Sequence, residues 1–403
     1  MLSTVADMRL LHTSDWHIGR TFHGVDLLAE QEWVLDHLVE LVATERIDVV
    51  VVAGDVYDRA VPSAQAVRVA TRVMRNLRES GAQLVITPGN HDSASRLGAF
   101  AEFAAAGGLH LRTTIAGLDE PVVLADEHGP VALYGIPYLE PEPARQQLGL
   151  SGPCDHTTVL SEAMRRIRAD LATRDDSGSG CRSVVLAHAF VTGGAASDSE
   201  RTIAVGGVEQ VPGDVFDGVD YVALGHLHGP QRLAEQLRYS GSPLAYSFSE
   251  EKQRKSVWIV DLDARGLSEV RRAELPVARG LATVTGELEE VIAGAEGEFA
   301  GCVDCYVSVT LTDRVRPLDA MRRLREHFPY AVHMEWQPVD GPGAELNYAQ
   351  RLRGRSDTEV IEAFLDDCRG APPAESETAM LRTALESAGR ASGEVAADGG
   401  GSQ

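Results

Sequence analysis

Five times before residue 230, a strand-length apolar run ends on a short cluster of Asp, Asn or His. Leu10–Thr13 leads into Asp15-Trp16-His17, and Asp48–Ala53 leads into Gly54-Asp55-Val56-Tyr57-Asp58. Leu84–Thr87 precedes Gly89-Asn90-His91-Asp92, Val184–Ala187 precedes His188, and Tyr221–Leu224 precedes Gly225-His226-Leu227-His228. Between the first runs, Leu28, Leu35, Leu38, Val39 and Val42 recur at helical spacing, and a second helix opens at Pro62 and stops before Gly81. Alternating strands and helices of this kind require a layered α/β core. The unbroken valines of Asp48–Ala53 suit a strand buried on both faces. Ligand sites in such folds lie at the carboxyl ends of strands, so one sheet edge should gather all five clusters.

The residue types then set the chemistry. Asp15, His17, Asp55, Asn90, His188, His226 and His228 form a mixed nitrogen and oxygen donor set. Such a set suits Mn, Fe or Zn better than Mg or Ca, which prefer oxygen throughout. Seven donors exceed the needs of one ion and fit two, the arrangement that clamps attacking and leaving oxygens in phosphoryl transfer. Asp55 is central enough in the set to bridge the pair. Taken singly, each cluster has a plainer reading: a packed histidine at His188, a turn at Gly-Asn-His-Asp, a helix cap at Gly-Asp-Val-Tyr-Asp. Their recurrence in order after buried strands is what the plainer readings do not supply.

Composition narrows the remaining possibilities. A chain of 403 residues exceeds one hydrophobic core, and 44% hydrophobic residues exclude wholesale disorder. With 37 Lys+Arg against 60 Asp+Glu, the net charge of −23 excludes binding to nucleic acid or membrane through bulk positive charge. Lys252 and Lys255 are the two lysines, and a phosphate-binding or structural role is expected of them. Five cysteines make an odd count, and the Cys302–Cys305 pair has no second CxxC, so neither a disulfide framework nor structural zinc is expected. No signal peptide or eighteen-residue apolar run is evident, so a cytoplasmic protein without a membrane span is expected. Further along, 93–106 reads as one helix, 237–262 as a β-meander, and 281–337 as helix, strand, helix, strand.

The five clusters resemble the signatures of the calcineurin-like metallophosphoesterases. Leu11-His-Thr-Ser-Asp-Trp-His-Ile-Gly-Arg20, Ala53-Gly-Asp-Val-Tyr-Asp-Arg59, Pro88-Gly-Asn-His-Asp-Ser93 and Tyr239-Ser-Gly-Ser-Pro-Leu244 with Phe248-Ser-Glu250 are similar to the SbcD branch, the nuclease subunits of bacterial SbcC–SbcD complexes. The resemblance implies an α/β fold with a four-layer αββα metallophosphoesterase core over 1–280 and a smaller α+β capping domain over 281–340. A linker at 341–355, a C-terminal helical partner-binding segment at 356–390 and a disordered tail at 391–403 would follow.

It also implies roles. Asp15, His17 and His228 would hold one divalent ion and Asn90, His188 and His226 the other, with Asp55 shared and Mn the expected metal. His91 would be the catalytic acid, and Asp92 would orient it or cap a helix. Asp58 stands where some archaeal relatives carry a second catalytic histidine. Arg20, Arg59 and Arg96 are candidates for DNA phosphate contacts or for pairing with local acids; His12 and His23 flank the first cluster as weaker candidates, with packing the expected role of His12. The implied activity is double-strand exonuclease and single-strand or hairpin endonuclease action on DNA in repair, recombination and replication. The implied partners are an SbcC-type coiled-coil ATPase on the 356–389 helices and a second copy of the chain on a Leu97, Phe100, Phe103 stripe, giving a homodimer within a heterotetramer; packing of the helices on their own domain and of the stripe in the core are the plainer readings. A small-molecule phosphodiesterase of the same superfamily, or a metal-free scaffold, are the competing readings.

Overall fold

The computed structural model describes residues 7–174, 180–200, 210–338, 355–369, 372–374 and 376–385. The chain divides into two compact units, Met1–Leu281 and Ala282–Gln403. The first unit holds two six-stranded sheets. One runs in the order Gly266–Glu274, Ser256–Asp263, Met8–Thr13, Val49–Ala53, Gln83–Thr87, Leu109–Leu111. The other runs Gln231–Arg232, Leu237–Tyr239, Tyr221–Gly225, Arg182–His188, Gly129–Gly135, Val122–Asp126. The inner strands of both sheets pair in parallel, with Leu10 opposite Val49 and Val51 opposite Val85 in the first and Val184 opposite Tyr221 in the second.

The strand pleat sorts the valine run into two layers. Val49 and Val51 turn inward with Leu10 and Val85 to meet Leu133, Val184, Leu186 and Ala223 of the other sheet. Val50 and Val52 turn outward against Val34, Leu35 and Leu38 of helix Leu28–Thr44 and Val73 and Leu77 of helix Ala64–Glu79. On the far side, Ala132, Tyr134, Val185 and Val222 pack on Val159, Ala163, Met164 and Ile167 of helix His156–Arg174. Helix, sheet, sheet, helix is the four-layer αββα order expected. Each valine fully withdrawn from water contributes roughly 1.5–3 kcal/mol.

His12 lies between the sheets and is fully buried. Its Nε2 is 3.1 Å from the Leu224 carbonyl, which can only accept, so Nε2 carries the proton. Nδ1 then accepts from the Tyr221 hydroxyl at 3.0 Å. His12 therefore bridges the two sheets and does not face a ligand. Burial pushes it down to about 3 and keeps it neutral.

Three local expectations change. The 237–262 stretch is not a meander: Leu237–Tyr239 belongs to the second sheet and Ser256–Asp263 to the first. The helix expected over 93–106 breaks into Ala94–Leu97 and Ala101–Ala106. Leu97 packs on the first sheet's outer core, while Phe100 and Phe103 are 73% and 82% exposed.

The second unit opens with a strand, Leu281–Gly286, where a helix was expected; its burial alternates at Ala282 and Val284. Helix Leu288–Gly294, strand Tyr306–Leu311, helix Ala320–His327 and strand Ala331–Trp336 follow, around Val291, Val307, Val309, Leu324 and Phe328. Asp357–Arg369 and residues 376–385 are helical. The linker at 341–355, but for residue 355, and the tail at 391–403 lie outside the described residues. Among the described residues no helix is long and apolar enough to cross a membrane.

Candidate metal centre

The loops that leave the first sheet continue its parallel pairing. The backbone N–H of Asp15 donates to Gly54 at 3.0 Å, that of His17 to Asp55 at 3.0 Å and that of Ile18 to Val56 at 3.0 Å. Glycine permits the remaining approaches. A Cβ on Gly89 would sit 2.2 Å from Asp55 Oδ1, and one on Gly225 would sit 1.8 Å from the Ala53 carbonyl oxygen. Asp92 fastens two of the loops: its carboxylate accepts from the backbone N–H of Val56 at 3.0 Å, Tyr57 at 2.9 Å and Gly89 at 3.0 Å. It therefore neither orients His91 nor caps a helix. Burial pushes Asp92 up to about 7.

These constraints bring the proposed ligands together. Asp55 Oδ2 lies 3.4 Å from His188 Nε2, 3.5 Å from His17 Nε2 and 4.0 Å from His91 Nε2. Its Oδ1 accepts the His91 backbone N–H at 2.9 Å. His17 Nε2 and His228 Nε2 are 3.1 Å apart. Three groups place one donor atom each within 4.8 Å of one another: Asp15, His17 and His228; Asp15, Asp55 and His188; and His17, Asp58 and His91. Asn90 Oδ1 is 2.9 Å from His188 Nε2. His226 is in none of the three groups; its ring is 5.3 Å from that of His188, and its backbone N–H donates to Asp15 Oδ1 at 3.1 Å.

The backbone is strained at the same place. Asp15, His17, Asp55 and His226 all have positive φ, at 54°, 45°, 53° and 108°. Each such non-glycine residue costs about 1–3 kcal/mol, and such strain clusters at functional sites.

The electrostatics ask for positive charge. Asp15 and Asp55 are fully buried, and burial pushes Asp15 up to about 6. Burial acts the same way on Asp55, but His188 and then His17 pull it well below the usual carboxylate range. His188 shows the counterpart. Burial alone would lower it, yet Asp55 and Asp15 raise it to about 9. Both its ring nitrogens face oxygen acceptors, Ala53 O and Asn90 Oδ1, each at 2.9 Å, as a protonated ring requires. His17 Nδ1 is buried without a hydrogen-bond partner, with Asp58 Oδ1 3.9 Å away. Converging imidazole nitrogens, two buried carboxylates and this orphaned ring nitrogen fit divalent cations, with Asp15, His17, Asp55, His188 and His228 as the nearest donors. Asn90 adjoins His188, and His226 stands beyond these groups.

His91 is held differently. Its Nδ1 is 2.8 Å from the Asp58 carbonyl, an acceptor, so the proton sits on Nδ1 and Nε2 turns toward Asp55. Among the arginines, Arg20 donates to the Ser199 carbonyl at 2.7 Å, lies 4.9 Å over the Tyr246 ring and has Nη1 3.8 Å from Asp58 Oδ1. Arg59 is 72% exposed and lies 3.4 Å from Asp58. Arg96 is exposed and makes no side-chain hydrogen bond among the described residues. His23 is exposed and its ring lies against Phe22 and Phe248. The sequence reading passed over Gln31, which donates to the His17 carbonyl at 2.7 Å and is buried in an otherwise apolar helix face. A buried polar residue at a core position of Leu28–Thr44 was the available signal. Ser199 and Glu200 had none, since they lie in a Gly/Ser/Asp-rich loop without periodicity.

Comparison with known proteins follows the same lines. The family model for calcineurin-like phosphoesterases matches residues 8–230, just over half of the chain. The model for the type 5 capsule protein repressor C-terminal domain, SbcD_C, matches residues 277–369. Among solved structures, a dimetal phosphatase from Danio rerio is similar at 13% identity and a TM-score of 0.38, over 67% of this chain and 99% of that one. A family 1 β-glucosidase from Thermotoga maritima is similar at 10% identity and a TM-score of 0.21, over 82% and 87%. Likenesses at these scores carry no argument about chemistry.

Proposed function

The chain belongs to the calcineurin-like phosphoesterase family, and from that premise we propose that it is a metal-dependent DNA nuclease of the SbcD type. The carrying observation is the pairing, in one chain, of a donor set centred on Asp55 with a C-terminal stretch that matches the SbcD_C domain. Asp15, His17 and His228 would hold one ion, and Asn90 and His188, with His226 behind them, the other, Asp55 being shared. When bound, two divalent ions, Mn being expected, supply Lewis-acid polarisation and offset phosphate charge.

The remaining work falls to the protein. His91, with Nδ1–H fixed by the Asp58 carbonyl, turns Nε2 inward; with a second proton on Nε2, the imidazolium gives that proton to the leaving 3′ oxygen and is left as the neutral Nδ1–H ring. Asp92 keeps the loops of Asp55 and His91 in register through its three backbone bonds. Arg20, braced by Ser199 and Tyr246, holds a guanidinium beside Asp58 where a phosphate oxygen can be met. Arg59 and Arg96 are peripheral contacts at most.

A net charge of −23 makes duplex DNA a poor ligand for the isolated chain. That supports dependence on an SbcC-type ATPase, docked on the 356–389 helices, where Phe364 and Met380 are exposed. Exposed Phe100 and Phe103 support pairing with a second copy. Residues 281–340 serve as the capping domain. The test is Mn²⁺-dependent cleavage of end-labelled duplex and hairpin DNA by wild type, Asp55→Ala and His91→Ala. Wild type should cut and both variants should lose nearly all activity. Hydrolysis of cyclic nucleotides without action on DNA, alone or with the ATPase, would overturn the nuclease reading.

A further inference from the structure

Two sequence features play no part in that chemistry: Phe248-Ser-Glu250 and Lys255, one of the two lysines. In the structure Glu250 and Lys255 form one buried network beneath His228. The side chains of Glu250 and Lys255 are 0% and 5% exposed. Lys255 Nζ donates to Glu250 Oε2 at 2.5 Å, the His228 carbonyl at 2.8 Å, Gln253 Oε1 at 3.0 Å and Ser242 Oγ at 3.1 Å. An ammonium has three protons, so these contacts leave none for a phosphate.

The other Glu250 oxygen, Oε1, accepts from the Ser199 hydroxyl; Ser197 Oγ lies 3.0 Å from it but 2.7 Å from Glu200 Oε2, the nearer acceptor for its single proton. Ser199 Oγ also lies 2.5 Å from His228 Nδ1. Counting protons settles the direction. A carboxylate only accepts, so the single Ser199 proton goes to Glu250. Ser199 Oγ must then accept from His228, which places the ring proton on Nδ1 and leaves the lone pair on Nε2. That Nε2 belongs to the group formed with Asp15 and His17. Glu200 completes the grip by accepting the His228 backbone N–H at 2.8 Å.

We infer that Glu250 is a positioning residue that, relayed through Ser199 and anchored by Lys255, fixes His228 in the tautomer offering Nε2 to a metal ion. Histidine ligands characteristically donate their second ring N–H in this way, and loss of the outer partner weakens metal affinity or activity about 10–100-fold. The inference rests on the reading of His228 as a ligand. It is specific to the ion held by Asp15, His17 and His228.

Three full-length proteins test it: wild type, Glu250→Gln, and the paired Glu250→Leu/Lys255→Met variant, which strands no buried charge. Histidine ring ¹⁵N spectra of the metal-free proteins read the His228 tautomer, and calorimetric titration with Mn²⁺ reads affinity site by site. Wild type should show His228 protonated at Nδ1 and bind two Mn²⁺. Both variants should lose the Nδ1–H preference and weaken one of the two sites about 10–100-fold, leaving the other within about twofold. Folded variants with two sites of wild-type affinity overturn the inference. If a variant does not fold, the wild-type spectrum decides, and His228 protonated at Nε2 overturns it. Wild type that binds no pair of Mn²⁺ ions refutes the dinuclear reading instead, while the tautomer still reports on Glu250.

Discussion

Gly89→Ala isolates the closeness of the loops from every other property of the site. Gly89 is not at positive φ, so the substitution adds one methyl group without backbone strain. That methyl would lie 2.2 Å from Asp55 Oδ1, 2.6 Å from the Asp55 backbone nitrogen and 2.7 Å from its Cγ. Ordinary contact needs about 3.4 Å, so the carboxylate must retreat by about 1 Å, and the backbone contact keeps side-chain rotation alone from clearing it. The retreat also pulls Asp55 Oδ1 from the His91 N–H, now at 2.9 Å. Overpacking costs about 1–3 kcal/mol, and a hydrogen bond to a charged group adds about 1.5–3 kcal/mol. Together these predict a loss of about 2.5–6 kcal/mol, seen by differential scanning calorimetry as a fall in Tm of roughly 5–15 °C. Hydrolysis of a chromogenic phosphodiester in Mn²⁺ should fall at least tenfold. Gly301→Ala is the control, since its methyl meets nothing within 4 Å. A Gly89→Ala protein that melts and turns over like the control would refute the close approach of the 89–92 loop to Asp55.

Other expectations can be checked alongside. Asp126→Ala leaves Arg182, 6% exposed, without its carboxylate and should cost about 3–5 kcal/mol in denaturant unfolding. Burial acts to raise Asp126, but Arg182 outweighs it and holds the group below its ordinary 3.8, so the pair's stability is present above that pH and is lost as pH falls below it. His12 stays neutral down to about 3 when folded and takes a proton near 6.5 when unfolded, so its contribution should fall as pH drops from 6.5. His12→Phe should be less stable at neutral pH, with a shallower decline on acidification; an unchanged slope would contradict the inter-sheet placement. Phe100→Ser with Phe103→Ser should leave Tm within about 2 °C and shift any dimer seen by light scattering toward monomer; an unchanged dimer would remove that stripe from the interface.

Much of the first unit was legible because five of its inner strands carry apolar runs that end on chemistry. Val49–Ala53 states its own burial, and the Gly54-Asp55 exit follows at once. Partners brought from far along the chain were not legible. Asp92 sits beside His91, yet its carboxylate serves the backbone of Val56 and Tyr57, 36 and 35 residues away. Lys255 reads equally as a phosphate ligand or a structural residue until its bond to the His228 carbonyl decides for the second. His226 and His228 look equivalent in Gly-His-Leu-His, but only His228 falls within one of the three close donor groups. The 93–106 stretch has helical composition throughout, but a Cβ on Gly98 would lie 2.1 Å from Thr113 Oγ1, a tertiary approach that local propensity does not report.

The two sheets make unequal gifts to the centre. Asp15, His17, Asp55 and Asn90 leave strands of the first, whereas His188, His226 and His228 leave strands of the second. Under the proposed assignment each ion would be ligated from both, so a bound metal pair would act as a rivet through the seam between them. A chain with only one sheet formed would hold half a chelate and bind weakly. Metal occupancy and the docking of the sheets are therefore linked by mass action: loading the centre should protect amides in both valine-rich layers from exchange together, and stripping it should loosen them as a unit.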